Sequence, residues 1–104
     1  EKIHGIAHIT GGGMKDNVER MLPDGTRAVI KRGTWPVLPV FEFIRETGNV
    51  AQDEMERSFN MGIGLILAVE ESAVKMAIDF FTLRGHPAHR IGEIVKGKKG
   101  VVIQ

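Results

Sequence analysis

A chain of 104 residues is long enough for one domain with one hydrophobic core. Its 14 basic and 13 acidic residues leave a net charge of +1, which argues against binding DNA or RNA through a basic surface. The sequence contains no cysteine, so disulfides, thiolate metal sites and thiol nucleophiles are excluded, and a reducing cytoplasm is the expected location.

The longest apolar stretch, residues 61–69, is far shorter than the ~20 residues that a membrane-spanning helix needs. We therefore expect no membrane partner. No internal repeat or second domain boundary is visible, so residues 1–104 are predicted to form a single domain. The chain lacks an initiator methionine and begins almost at once with a strand pattern, so we expect it to be a fragment of a longer protein.

The spacing of apolar residues predicts strands and helices in alternation. In chain order they are strand 3–9, helix 14–22, strand 27–31, helix 40–47, a helix N-capped by Asn49, strand 63–69, helix 70–83, strand 88–95 and strand 101–103. Gly48 is predicted to end helix 40–47, and Trp35 to fill the core beneath the proline-framed link before it. This order predicts an α/β, or α+β, domain in which helices flank a mixed sheet.

The sequence also predicts how strand 63–69 and helix 70–83 are buried. Strand 63–69 is expected to be buried on both faces, because its apolar residues follow one another without alternation. Helix 70–83 is expected to present one apolar face to the core, formed by Ala73, Met76, Ala77, Phe80 and Phe81.

The run Thr10-Gly11-Gly12-Gly13 stands between the first strand and the first helix. Glycines leave backbone N–H groups bare enough to close around an anion, and the helix dipole favours negative charge at the same place. The run could also be only a tight turn, and it is neither a Walker A loop nor the Rossmann fingerprint. Gly62 and Gly64 form a second such corner beside strand 63–69. Together the corners predict one site for a phosphorylated ligand.

Two polar side chains stand near these corners. His8 precedes the glycine run and is either a packed strand residue or a hydrogen-bond donor or general base. Asn60 precedes Gly62 and is either a left-handed helix cap or a reader of a substrate hydroxyl or amide. The remaining histidines lack a recurring ligand spacing, so no metal site is predicted; these are His4, His86 and His89.

Three segments, residues 5–13, 35–41 and 59–64, together closely resemble the C-terminal half of aminoimidazole ribonucleotide synthetase, also called phosphoribosylformylglycinamidine cyclo-ligase, of purine biosynthesis. The resemblance extends from about residue 5 to residue 95, in the family's order and spacing. One departure is Met61, at a position where relatives often carry cysteine. Cysteine there is therefore not an indispensable nucleophile if this chain belongs to a working enzyme.

The resemblance implies an α/β/α layered domain, partly ferredoxin-like, that forms the C-terminal part of a two-domain subunit. The N-terminal domain, absent from this sequence, would supply most of the ATP and Mg²⁺ site and the homodimer interface. The implied reaction is ATP-dependent closure of formylglycinamidine ribonucleotide to aminoimidazole ribonucleotide, and this chain alone is expected to be inactive. The hypothesis makes His8 catalytic and assigns substrate or phosphate binding to Thr10, Gly11, Gly12, Gly13, Asn60, Gly62 and Gly64.

Other interpretations stay open. The same architecture serves related ATP-using enzymes, namely formylglycinamidine ribonucleotide amidotransferase, selenophosphate synthetase, thiamine monophosphate kinase and a hydrogenase maturation protein. A module for small-ligand binding or oligomerisation, without catalysis, is a further alternative. Segments 35–41 and 59–64 favour the cyclo-ligase among the enzymes.

Overall fold

The computed structural model describes residues 3–10 and 12–104. Its elements are β1 (Ile3–His8), α1 (Gly13–Glu19), β2 (Thr26–Ile30), α2 (Pro39–Gly48), α3 (Gln52–Ser58), β3 (Leu65–Val69), a 3₁₀ turn (Glu71–Ala73), α4 (Val74–Leu83), β4 (Gly92–Lys96) and β5 (Gly100–Ile103). The predicted α+β class and element order are confirmed. No helix within these residues has the length and apolar character to cross a membrane.

The five strands of the described residues form two sheets rather than a single mixed one. In the first sheet β1 pairs antiparallel with β3, and His8 stands opposite Leu65. In the second sheet β2 lies between β4, its antiparallel neighbour, and β5, its parallel neighbour. The mixed sheet that the sequence predicts is therefore limited to three strands.

The hydrophobic core surrounds α1, which contacts β1, α3 and β5. Met14 and Val18 on α1 are almost fully buried, and Leu22 follows at the same helical spacing. Trp35 is buried in the same cluster, and its indole N–H donates to the carbonyl oxygen of Met61 at 3.0 Å. The prediction that Trp35 fills the core is confirmed.

The boundary between α2 and α3 differs from the prediction. Asn49 does not begin α3: it closes α2 in the left-handed conformation, with φ 52°, directly after Gly48. Ala51 holds the N-cap position of α3 and offers no side-chain cap. Asparagine suits either end of a helix, as an N-cap acceptor or as a left-handed C-terminal residue, so residue type alone assigned Asn49 to the wrong helix.

The burial predicted for strand 63–69 and helix 70–83 is wrong. No residue of β3 is fully buried, and Leu65 is 54% exposed, because among the described residues no element other than β1 packs extensively against this strand. No residue of α4 is fully buried either: Met76 is 58% and Phe80 48% exposed. Of the helix face predicted to meet the core, only Ala73, just before α4, is buried. Ala77 and Phe81 instead line an open groove of about 1000 Å³.

Candidate functional site

The antiparallel pairing of β1 with β3 brings the two glycine corners together. The chain leaves β1 at the same edge of the sheet where it enters β3, and the Ile9 N–H donates to the Gly64 carbonyl at 2.9 Å. Thr10, which follows Ile9, therefore lies beside segment 60–64, and Gly11 is outside the described residues. The predicted proximity of the corners is observed, whereas their ligand role stays a prediction.

The backbone conformation at residues 12 and 13 favours glycine at both positions. Gly12 and Gly13 have positive φ angles, 97° and 69°, and the Gly13 N–H closes a turn onto the Thr10 carbonyl at 3.0 Å. A side chain on Gly12 would lie 2.6 Å from the Asp16 carboxylate, and one on Gly13 would overlap the backbone carbonyl of Glu56. These contacts are enough to explain both glycines as parts of a tight turn packed against α3.

Asn17 joins the two ends of this turn. Its side chain is buried, and its amide nitrogen donates to the Gly13 carbonyl at 2.7 Å and to the Thr10 carbonyl at 3.4 Å. Its amide oxygen accepts from the Thr10 hydroxyl at 3.3 Å and from the Arg20 guanidinium at 3.2 Å. We did not predict this role, for which the only signal in the sequence is a position four residues after the last glycine.

The second corner is a tight turn over residues 60–63. The Ile63 N–H donates to the Asn60 carbonyl at 3.0 Å, and both central residues, Met61 and Gly62, have positive φ angles, as in a type I′ turn. The Asn60 side-chain oxygen accepts from the Gly62 N–H at 2.8 Å. Asn60 is thus not the left-handed residue: buried Met61 is, and the Asn60 amide braces the turn.

His8 stands exposed at the same end of the first sheet. Side chains of directly opposed residues share a face, so His8 lies on the same side as Leu65 and away from the buried residue Ala7. The alternative of a packed core histidine is therefore wrong. Its catalytic role stays a prediction. Within residues 3–10 and 12–104, no three His, Asp or Glu residues gather in a group that could hold a metal ion.

An ion pair between a buried carboxylate of α3 and an exposed guanidinium lies next to the glycine turn. The Glu56 carboxylate, 3% exposed as a residue, receives two hydrogen bonds from the Arg32 guanidinium, at 2.6 and 2.7 Å, and one from Gln52 at 3.1 Å. Burial raises the pKa of Glu56, but the hydrogen bonds from Arg32 and Gln52 and the Arg32 charge outweigh it, so the pKa lies below its ordinary value. The Glu56 carbonyl also faces Gly13, so the pair ties the part of α3 that packs against the turn to Arg32, just after β2.

Comparisons with known proteins identify the family of the chain. The family model described as AIR synthase related protein, C-terminal domain, matches residues 1–104. A phosphoribosylformylglycinamidine cyclo-ligase of Geobacillus kaustophilus is 50% identical over 95 residues, covering 91% of this chain and 28% of the relative. The enzymes of that name from Myxococcus xanthus and Alkaliphilus metalliredigens are 47% identical over 97 residues and 46% identical over 103 residues.

The matches to these two relatives cover 93% and 99% of this chain but only 28% and 30% of the relatives. The chain thus spans less than a third of the length of the curated relatives it matches. The resemblance carried by segments 5–13, 35–41 and 59–64 is confirmed, and the chain belongs to the family of the AIR synthase related protein, C-terminal domain.

Proposed function

We propose that this chain is the C-terminal domain of a two-domain, ATP-dependent cyclo-ligase that converts formylglycinamidine ribonucleotide to aminoimidazole ribonucleotide. Relatives of that name match almost the whole chain. The structural observation that carries the proposal is the Ile9–Gly64 hydrogen bond, which holds the two glycine corners side by side. The relatives described above carry the cyclo-ligase name, which supports this reaction over those of the other ATP-using enzymes and over a ligand-binding module without catalysis.

The proposed ligand site is the surface where segments 10–13 and 60–64 adjoin. The substrate carries a 5′-phosphate, and the exposed Thr10 hydroxyl and the backbone of the turn offer hydrogen-bond donors to an anion. Gly62 and Gly64 have no side chains and leave open space at these two positions, so a ligand can approach the backbone there closely. Asn60 has its amide oxygen engaged in the turn, which leaves its amide nitrogen for the ligand.

His8 is proposed as the proton acceptor in ring closure. ATP, when bound by the full-length enzyme, supplies the phosphoryl group that activates the formyl oxygen. A substrate nitrogen then bonds to the formyl carbon, the bond from that carbon to the phosphorylated oxygen breaks, and phosphate leaves. The attacking nitrogen must lose a proton, and we propose that His8 accepts it; the exposure of its imidazole at the end of β1 supports this role.

The residues that the structure describes do not fit a Mg²⁺ site, since no three metal-ligating side chains among them lie close enough together to hold an ion. We assign Mg²⁺ and most of the ATP site to the remainder of the full-length subunit, together with the homodimer interface. A cytoplasmic location is part of the same proposal and fits a chain without cysteine.

The full-length protein tests the proposal directly. It should form aminoimidazole ribonucleotide from formylglycinamidine ribonucleotide and ATP, whereas residues 1–104 alone should not. Gly12→Val should raise the KM for the ribonucleotide by about tenfold or more, because a branched residue at positive φ displaces the turn. Gly25→Val is the matched control, at a positive φ in open space.

Two results would count against the proposal. Absence of cyclisation by the folded full-length protein would refute the assigned reaction. Equal kinetic constants for Gly12→Val and Gly25→Val would show that the glycine turn is not part of the substrate site.

A further inference from the structure

We infer that Asn17 is a positioning residue for the ribonucleotide phosphate: without touching the ligand, its amide holds the Thr10 hydroxyl and the Arg20 guanidinium side by side at the glycine turn. The inference rests on the proposed function, because it takes the surface beside the Thr10 hydroxyl as the place where the phosphate binds. It adds Arg20, a residue that the sequence patterns did not single out, to the groups that meet the anion.

The chemistry of the buried amide specifies asparagine at this position. The nitrogen of Asn17 donates to the Gly13 carbonyl at 2.7 Å, while its oxygen accepts from two donors. An aspartate of the same shape could accept at one end, but it would set a second oxygen against the Gly13 carbonyl. The amide is 6% exposed, so water cannot readily repair that mismatch.

Both donors to the Asn17 oxygen are solvent-exposed residues. Thr10 Oγ1 lies 3.3 Å and Arg20 Nη1 3.2 Å from this one oxygen, which keeps the hydroxyl and the guanidinium close together. Within residues 3–10 and 12–104, Arg20 makes no ion pair with a carboxylate. A guanidinium has five donors, so after one hydrogen bond to Asn17 the others are available to a phosphate.

Because two donors share the Asn17 oxygen, one of them can turn to a ligand while the oxygen keeps a hydrogen bond from the other. When a phosphate arrives, the Thr10 hydroxyl can rotate its proton from Asn17 to the anion. Arg20 still donates to the Asn17 oxygen, so the buried acceptor keeps a partner and the exchange avoids the cost of leaving it bare. Asn17 thereby sets the position of both phosphate ligands from behind the turn.

The test uses the full-length protein and two ligands, formylglycinamidine ribonucleotide and the corresponding nucleoside without phosphate. Asn17→Asp should weaken binding of the ribonucleotide by about tenfold or more and leave binding of the nucleoside within about threefold. The KM for the ribonucleotide should rise similarly while kcat stays nearly unchanged. Asn49→Asp adds the same charge at an exposed helix end and should change neither ligand's affinity.

Arg20→Ala provides the second variant, since an exposed residue can be replaced without risk to the core. It should also reduce the preference for the ribonucleotide over the nucleoside. The losses caused by Asn17→Asp and Arg20→Ala should be non-additive in the double variant, because Asn17 acts partly through Arg20.

Titration calorimetry separates this inference from the proposed reaction because it requires no turnover. Equal weakening of both ligands by Asn17→Asp would indicate a merely structural role and overturn the inference. So would an unchanged ribonucleotide preference in Arg20→Ala, which also decides the matter if Asn17→Asp fails to fold. A wild-type protein that binds the ribonucleotide with the predicted phosphate preference but forms no product would refute the cyclo-ligase alone.

Discussion

Gly13→Ala tests whether the glycine turn is built on its contact with α3. Gly13 has φ 69°, and an added Cβ would overlap the backbone carbonyl of Glu56, which cannot rotate away as a side chain can. The left-handed conformation costs a non-glycine residue about 1–2 kcal/mol. Forcing a methyl group into a packed contact costs a further ~1–3 kcal/mol. The expected loss of unfolding free energy is therefore about 2–5 kcal/mol.

Gly25→Ala isolates the packing contribution. Gly25 has φ 79°, but nothing lies within 4 Å of the position its Cβ would take, so only the conformational cost of about 1–2 kcal/mol applies. Equilibrium urea unfolding of both variants and the wild type, followed by circular dichroism, measures the two losses. Equal losses for the two variants would refute the reasoning, because they would mean that the approach of α3 to Gly13 contributes nothing.

Three further predictions concern Glu56, Asn60 and His8. Glu56→Gln should remove about 1.5–3 kcal/mol of stability at neutral pH, because the Arg32 hydrogen bonds lose their charged acceptor. The pKa of Glu56 is lower in the folded chain, so its stabilisation is complete above the unfolded-state carboxyl pKa of about 4.3 and is lost as pH falls through the folded value. Urea unfolding across this range should therefore find the variant less sensitive to acid than the wild type, and an identical pH dependence would contradict the assignment. Asn60→Ala should cost about 1 kcal/mol by leaving the Gly62 N–H without its acceptor, while Asn60→Asp should cost less; equal losses in thermal unfolding would argue against the braced turn. His8→Ala in the full-length protein should lower kcat/KM by about 100-fold with little change in melting temperature, and normal kinetics would exclude His8 from catalysis.

Local spacing predicts much of this fold because it is set by the geometry of single elements. Met14 and Val18 recur at helical spacing on α1, and both are buried. The residues of the two glycine corners are also identifiable, since tight turns next to strands favour glycine where φ is positive, as at Gly12 and Gly62. These features depend on neighbours within a few residues, which the sequence displays directly.

Features that depend on distant partners were not predictable in this way. The apolar run of β3 predicts that both of its faces are buried. It does not reveal that, among the described residues, β3 belongs to a sheet of only two strands, in which it pairs with β1. The Arg32–Glu56 pair joins residues that are 24 positions apart, so it depends on α3 lying close to the end of β2. Asn17 similarly acquires its role from the path of the turn that it braces. Each contact is a consequence of tertiary packing rather than of a local pattern.

The most direct test of the central claim is amide hydrogen exchange of the full-length protein with and without formylglycinamidine ribonucleotide. The claim is that segments 10–13 and 60–64 form one ligand surface, held together by the Ile9–Gly64 hydrogen bond. The account predicts that the ribonucleotide slows exchange in both segments together, and that the nucleoside without phosphate protects segment 10–13 much less. Protection confined to the groove lined by Ala77 and Phe81, with both glycine segments unchanged, would contradict it.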